Sequence, residues 1–395
     1  MNRAGRQSSL GRVALLAAAV TLAACSSPGT VAARRSPTST STSMNPPAGD
    51  GTTSTLPSTL TTTTPAAAPG PSSVTWPLRT ITSTGSDQDV TPVGSALYWL
   101  ALPGSTPGSP STVTPVRDDL ATGQVVDGPS VPGVVGSPAL TVTAGWVWVV
   151  RGVGGEALVE QLDPTTLTVH AQRTLVVNDT LGPGPRPLLT ATVGGPLWVA
   201  DGEDLWALDP STGTVETELD AGDEITSLST DPSGALLYTG GDPPSRSGMI
   251  VTEYDARTGR QLDHSDQEDA VAAGTVAATD GGVWVSYRSG MAGGAQELSS
   301  ADLATIAPPP GSGNSFGTFA QIMGVWSSVS DGVLWLTSAT GLTCADPATG
   351  AVRASEALAG SDGLSDPIAS GGLLYAVPSS GGVVAMTPPK ACFGT

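Results

Sequence analysis

The sequence predicts an all-β fold, a β-propeller of seven four-stranded blades. Three observations predict it. Tyr98, Trp148, Trp198, Tyr238, Trp284, Trp335 and Tyr375 recur at intervals of 50, 50, 40, 46, 51 and 40 residues. Each stands in a short apolar phrase: ALYWLA, WVWVV, PLWVA, ALLYTG, GVWVS, VLWLT and GLLYA. Turn residues, above all Asp-Pro-x-Thr-Gly, separate the short alternating segments around these phrases. A period of that size, built of short strands and turns, marks a propeller with about four strands per blade.

The first element is a leader, residues 1–24. Arg3, Arg6 and Arg12 form a positive start, and VALLAAAVTLAA (13–24) is an apolar run too short to span a bilayer as a mature helix. It ends Leu22-Ala23-Ala24-Cys25, which resembles the bacterial lipobox. That resemblance implies a lipidated Cys25 as the mature N-terminus, held on the outer face of the cytoplasmic membrane. Removing the leader leaves 13 basic against 35 acidic residues, a net charge of −22. Such a charge argues against nucleic acid and against electrostatic docking on anionic lipid.

The second element is a tether, which with Cys25 makes up residues 25–73. Thirty of the 48 residues in 26–73 are Ser, Thr or Pro, and none is aromatic. Such a segment cannot bury enough apolar area to offset its ordering entropy. As a coil it reaches roughly 35–40 Å, enough to hold the following domain away from the membrane.

The propeller occupies residues 74–395. Its clearest repeat is 187–219. PLLTATV (187–193) alternates as an innermost strand, LWVA (197–200) is the second, LWALD (205–209) the third and TVETEL (214–219) the outer. Between the last two, Asp209 caps the turn, Pro210 sets φ and Gly213 accepts positive φ. Asp163-Pro164 and Asp346-Pro347-Ala348-Thr349-Gly350 repeat the device, softened at Asp119–Gly123 and Asp255–Gly259, with Ser299 replacing the Asp in the fifth repeat. The seventh repeat stops seven residues after Pro388, and VTWPLRTIT (74–82) is an unassigned strand before the first. The N-terminal strand is therefore expected to complete the seventh blade and close the ring.

LWV, LWALDPSTG and TCADPATG resemble the YVTN-like and quinoprotein-like (PQQ-like repeat) propellers of bacteria. The resemblance spans residues 74–395 and implies a fold, not an activity. The pyrroloquinoline quinone dehydrogenases have similar repeats but carry a tryptophan on the outer strand, where this chain reads TVETEL. The streptogramin lyases have similar short blades and use a His base with Glu and magnesium. Of the two histidines here, His170 falls on an outer strand, and His264, in a loop reading HSDQED, could reach a central site.

Cys344 and Cys392 are an even pair in an oxidising compartment and are expected to form a disulfide. With two histidines and no CxxC, no metal site is expected, although the HSDQED run offers oxygen ligands. No Ser-His-Asp set assembles, the Gly doublets read as hairpin turns, and no cofactor is expected.

Loops from outer to innermost and from second to third strands open on one face around the axis. Arg151, Arg246, Arg288, Asp266 and Glu268 are expected there. The 307–323 insertion adds Phe316 and Phe319, two of three Phe in the chain. These seven residues are the candidate contacts for an envelope protein, peptide or glycan. The expected function is a monomeric, lipid-anchored binding or scaffold module. The alternatives are a lyase or hydrolase at the axial mouth, or a ligand-sensing subunit of an envelope complex.

Overall fold

The computed structural model describes residues 76–82, 88–102, 111–177, 187–242, 248–267, 272–289, 292–306, 325–338, 341–357, 364–378 and 380–394. All lie in the compact unit Ala66–Thr395. The leader, Cys25 and the tether lie outside the described residues.

The described elements are antiparallel strands and one terminal 3-10 turn. The strand β1 (Leu78–Thr82) comes first. Repeat one follows with β2 (Gln88–Val93), β3 (Ala96–Ala101), β4 (Ser111–Asp119) and β5 (Gln124–Asp127). Repeat two has β6 (Val131–Thr143), β7 (Trp146–Val153), β8 (Glu156–Leu162) and β9 (Val169–Val176). Repeat three has β10 (Leu188–Ala191), β11 (Leu197–Asp201), β12 (Asp204–Leu208) and β13 (Val215–Asp220). Repeat four has β14 (Glu224–Thr230), β15 (Leu236–Asp242), β16 (Met249–Asp255) and β17 (Gln261–Gln267). Repeat five shows β18 (Ala272–Ala278), β19 (Gly282–Ser289) and β20 (Ala292–Ser299), then a single bridge from Leu298 to Thr305. Repeat six has β21 (Val325–Ser330), β22 (Val333–Ser338), β23 (Gly341–Ala345) and β24 (Val352–Ala357). The last strands are β25 (Leu364–Ser370), β26 (Leu373–Pro378) and β27 (Val383–Met386).

Each repeat is a meander, and β1 joins the last one. It pairs antiparallel with β27, Leu78 opposite Met386 and Thr80 opposite Val384, giving the order β1-β27-β26-β25. The last repeat has three strands of its own, and β1 covers the edge of β27. The innermost strands touch in the order β2, β6, β10, β14, β18, β21, β25, and β25 returns to β2. An extra pairing of β4 with β6 makes repeats one and two a continuous eight-stranded sheet.

The core lies between repeats. Among the described residues there are seven apolar clusters, one at each junction of the ring. This explains the unbroken apolar phrases. In β7, Val147 and Val149 pack toward repeat one, while Trp148 and Val150 pack toward repeat three. A strand buried on both faces does not alternate. The outer strand β13 has one solvated face, and its exposed residues are Glu216, Glu218 and Asp220.

One expected loop is a strand. His264, Ser265 and Asp266 belong to β17, pairing with Thr252, Val251 and Ile250. An outer strand needs few apolar residues, so its polar sequence read as a loop.

Candidate functional site

Three of the repeat aromatics anchor their junction through a hydrogen bond to the turn of the next repeat. Tyr98 Oη donates to the Pro164 carbonyl (2.9 Å), Trp198 Nε1 to Ala256 (3.0 Å) and Trp284 Nε1 to Pro347 (2.8 Å). Each acceptor directly follows the Asp that opens its turn. Those Asp carboxylates accept the next two free amides, as Asp209 does from Ser211 (2.7 Å) and Thr212 (2.9 Å). The same amide bonds hold the Asp163 and Asp209 carboxyls below the usual range. Gly259 is required twice over. Its φ is +69°, and a Cβ there would meet Leu219 at 2.8 Å and Trp198 at 3.1 Å.

The innermost strands spend their polar side chains on one another. Leu140 N–H donates to Asp89 (2.9 Å), Val276 N–H to Ser227 (3.0 Å), Ala278 N–H to Ser229 (2.9 Å), Ser327 N–H to Thr275 (2.6 Å) and Ala369 N–H to Ser330 (2.8 Å). Each donor lies one innermost strand after its acceptor. Five amides of innermost strands are thus satisfied by the preceding repeat.

At three places, buried ionisable groups stand on second and third strands. Arg151 on β7 and Glu160 on β8 form an ion pair at 2.9 Å, exposed by 0% and 3%. Burial pushes Arg151 down and Glu160 up, each opposed by the other's charge. Glu253 lies directly across from Tyr238, and burial raises both, helped at Tyr238 by the carboxylate. Glu297 lies across from Trp284. Burial first, then the Asp346 charge in the next repeat's turn, pushes it up to about 7. Burial opposes ionisation of Asp346 too, but Arg353 at 2.6 Å and the turn amides outweigh it. Arg353 also donates to the Cys392 carbonyl at 2.7 Å.

A cleft of about 440 Å³ opens between repeats two and three. Thr143 and Ala144 come from the β6–β7 hairpin, Gly194, Gly195 and Pro196 from the β10–β11 hairpin, and Pro210, Ser211 and Glu216 from the turn and outer strand of repeat three. It lies on the side of the Asp-Pro turns, opposite the face favoured by the sequence. No group of three or more His, Cys, Asp or Glu among the described residues is placed to hold a metal.

Of the seven expected contact residues, three fall among the described residues, on β7, β17 and β19. Arg151 is inside β7 rather than on a loop, closed off from solvent by its pairing with Glu160. Asp266 is exposed on the outer strand β17. Arg288 is on β19, opposite Ala272 and Gly293. Arg246, Glu268, Phe316 and Phe319 lie outside the described residues. Cys344 and Cys392 form the expected disulfide, with Cα atoms 5.6 Å apart. His264 is on β17 and His170 on β9, stacked on Trp146 at 4.4 Å, so neither histidine stands on an innermost strand. Sequence reasoning missed Glu253 and Glu297. The available signal was register, since each falls on a third strand opposite a repeat aromatic.

No family model matches the sequence, and none of the curated proteins is similar to it. Solved structures share the fold. BamB from Moraxella catarrhalis matches with TM-score 0.50 and 14% identity, over 79% of this chain and 100% of that one. A catalytically inactive H270A virginiamycin B lyase from Staphylococcus aureus, solved with quinupristin, matches with TM-score 0.52 and 10% identity, over 80% and 100%. Hydrazine synthase of Kuenenia stuttgartiensis matches with TM-score 0.56 and 14% identity, over 78% and 97%. These likenesses, with the strand pairing above, make the chain a β-propeller and speak to the fold alone.

Proposed function

We propose that this chain is a seven-bladed propeller of the YVTN-like kind, tethered through lipid on Cys25 to the outer face of the cytoplasmic membrane, where it acts as a binding or scaffold module. Its partner would be an envelope protein, peptide or glycan. The observation that carries the non-enzymatic reading is the state of the innermost strands. Their hydroxyls and Asp89 hold the backbone of the next repeat. Both histidines stand on outer strands. A lyase working at the axis would need a positioned base there, and neither His supplies one.

The anchor reading rests on Leu22-Ala23-Ala24-Cys25 after an apolar run. The Cys344–Cys392 disulfide supports the oxidising compartment that export implies. Cell fractionation with mass measurement tests the anchor. The parent should sit in the membrane fraction with a mass increased by acyl chains, and Cys25→Ala should not. Equal membrane retention and equal mass for both would overturn it. Photo-crosslinking in intact cells tests the role. A discrete adduct with one envelope component supports a binding module, and none from any face of the propeller counts against it.

A further inference from the structure

We propose that the cleft between repeats two and three receives an arginine or lysine side chain presented by an extended segment of the partner. The inference deepens the binding-module reading and rests on it for the existence of a partner. The cleft itself rests on its own geometry.

Its walls are fixed before any ligand arrives. In the β10–β11 hairpin, Thr192 N–H donates to Pro196 (3.1 Å) and Gly195 N–H to Thr192 (3.2 Å). In the facing turn, Gly213 N–H donates to the Asp209 carbonyl (2.8 Å) and Ser211 N–H to its carboxylate (2.7 Å). The Gln161 amide ties the Ser211 carbonyl to repeat two at 2.9 Å, so turn and hairpins share one frame. A site held this way binds without ordering its own loops.

Its lining is selective. Pro196, Pro210, Thr143 and Ser211 line the cleft, with Ser211 exposed and Pro210 half-buried. A Cβ built on Gly194 meets nothing within 4 Å, so no side chain occupies the space beside it. Among the described residues of the lining, Glu216 is the one ionisable residue and none is basic. An aliphatic stem ending in a cation matches this set. The stem lies on the prolines, the cation meets Glu216, and its N–H groups reach the hydroxyls. A carboxylate ligand would be repelled by Glu216. The chain's net charge of −19 steers a basic segment in the same direction. At about 440 Å³ the cleft has room for one long side chain and its flanking backbone.

The test uses the full chain, isotope-labelled and in detergent, with three capped tripeptides: acetyl-Gly-Arg-Gly-amide, the norleucine equivalent and the glutamate equivalent. The arginine peptide should shift the amides of Thr143, Ala144, Gly194, Gly195 and Ser211 saturably. The norleucine peptide should bind at least fivefold more weakly, and the glutamate peptide should not bind. Glu216→Gln should weaken the arginine peptide at least threefold at unchanged Tm, since Glu216 is exposed. Ser211→Tyr, which fills the cleft and leaves the charge, should abolish the shifts. Free arginine amide should bind more weakly than the peptide. Equal affinity would mean that a small cationic metabolite is the ligand, and would overturn the partner-segment proposal. Arginine binding no tighter than norleucine, or full binding by Glu216→Gln, would overturn the site. A failure here removes the cleft and leaves the binding-module reading to the crosslinking experiment.

Discussion

Trp198 donates its indole N–H to the carbonyl of Ala256, 3.0 Å away and 58 residues further along the chain. The bond crosses from repeat three to the turn of repeat four. Trp148, at the same place in repeat two, has no acceptor for its Nε1 among the described residues, although its ring packs on Gly213 of the next turn. The two tryptophans are both buried and bury similar area, so they separate packing from hydrogen bonding.

Trp198→Phe should therefore cost more than Trp148→Phe. Both lose ring volume. Only Trp198→Phe leaves a buried carbonyl without its donor, which adds about 1–3 kcal/mol. Urea unfolding of the two variants measures the difference. Equal losses would mean that the indole bond contributes nothing net.

The Arg151–Glu160 pair makes an opposite kind of prediction. Both partners are buried, so neither can be removed alone without leaving a charge in the interior. Arg151→Met should cost about 3–5 kcal/mol, and the double change to Met and Leu should recover most of it. The single variant should also regain stability in acid, where Glu160 can take up a proton. If the double variant is as unstable as the single, the pair contributes more than its own neutralisation.

Much of this was legible, for physical reasons. A second strand buried on both faces must be apolar throughout, so WVWVV and PLWVA stand out in the sequence. A turn closed by an Asp carboxylate and a residue at positive φ advertises itself, as at Asp209 and Gly213. Even here the rule bends. Leu167, at φ +55°, holds the glycine place in the turn of repeat two, and Leu303, at +48°, in repeat five. The candidate site was far less legible. Arg151 and Glu160 meet diagonally across a hairpin, and nothing in VVRGVGGEALVEQ marks them as partners. The cleft is lined by hairpin glycines and prolines that also serve as ordinary turn residues. Its meaning depends on two repeats coming together.

Closure of the ring supplies the next prediction. Trp76, just before β1, is buried against Trp335 with ring centres 6.2 Å apart, and Phe393 packs on Trp335 from the C-terminal side at 6.1 Å. Both rings pack on Trp335 in the cluster shared by repeats six and seven. Trp76→Ala should cost about 3–5 kcal/mol and accelerate amide exchange in β27 before the other strands. Unchanged protection in β27 would show that β1 holds without its anchor.

The disulfide acts at the same junction. Cys344 and Cys392 are 48 residues apart. Reducing the bond should cost roughly 3–4 kcal/mol through loop entropy. The loss should appear as a lower urea midpoint for the Cys344→Ala/Cys392→Ala variant. A midpoint equal to the parent's would mean that the terminal turn is held by the Arg353–Cys392 contact and the phenylalanine alone.

Glu297 sets the final prediction, a dependence of stability on pH. Its ordinary value of 4.5 is raised to about 7 by burial and by Asp346. The folded protein therefore holds a proton that the unfolded chain releases. Below about pH 4.5 both states are protonated at this site and its contribution is complete. Between about pH 4.5 and 7 the unfolded chain ionises first, so stability falls as pH rises. Above the folded value the loss levels off. A shift of this size corresponds to about 3 kcal/mol across the window. The turn carboxylates act in the other direction and lower down. Asp163 and Asp209 are held below 3.8, so their contribution is lost only in stronger acid. The two effects therefore occupy different windows. Glu297→Gln keeps the shape and removes the proton, so its urea midpoint should decline less than the parent's from about pH 5 to 8, the remaining slope coming from Glu160 and Glu253, whose carboxyls burial also raises. The variant should approach the parent at pH 5 and exceed it at pH 8. Parallel curves would show that Glu297 ionises in the folded state at its ordinary value, and that the junction between repeats five and six is open to water.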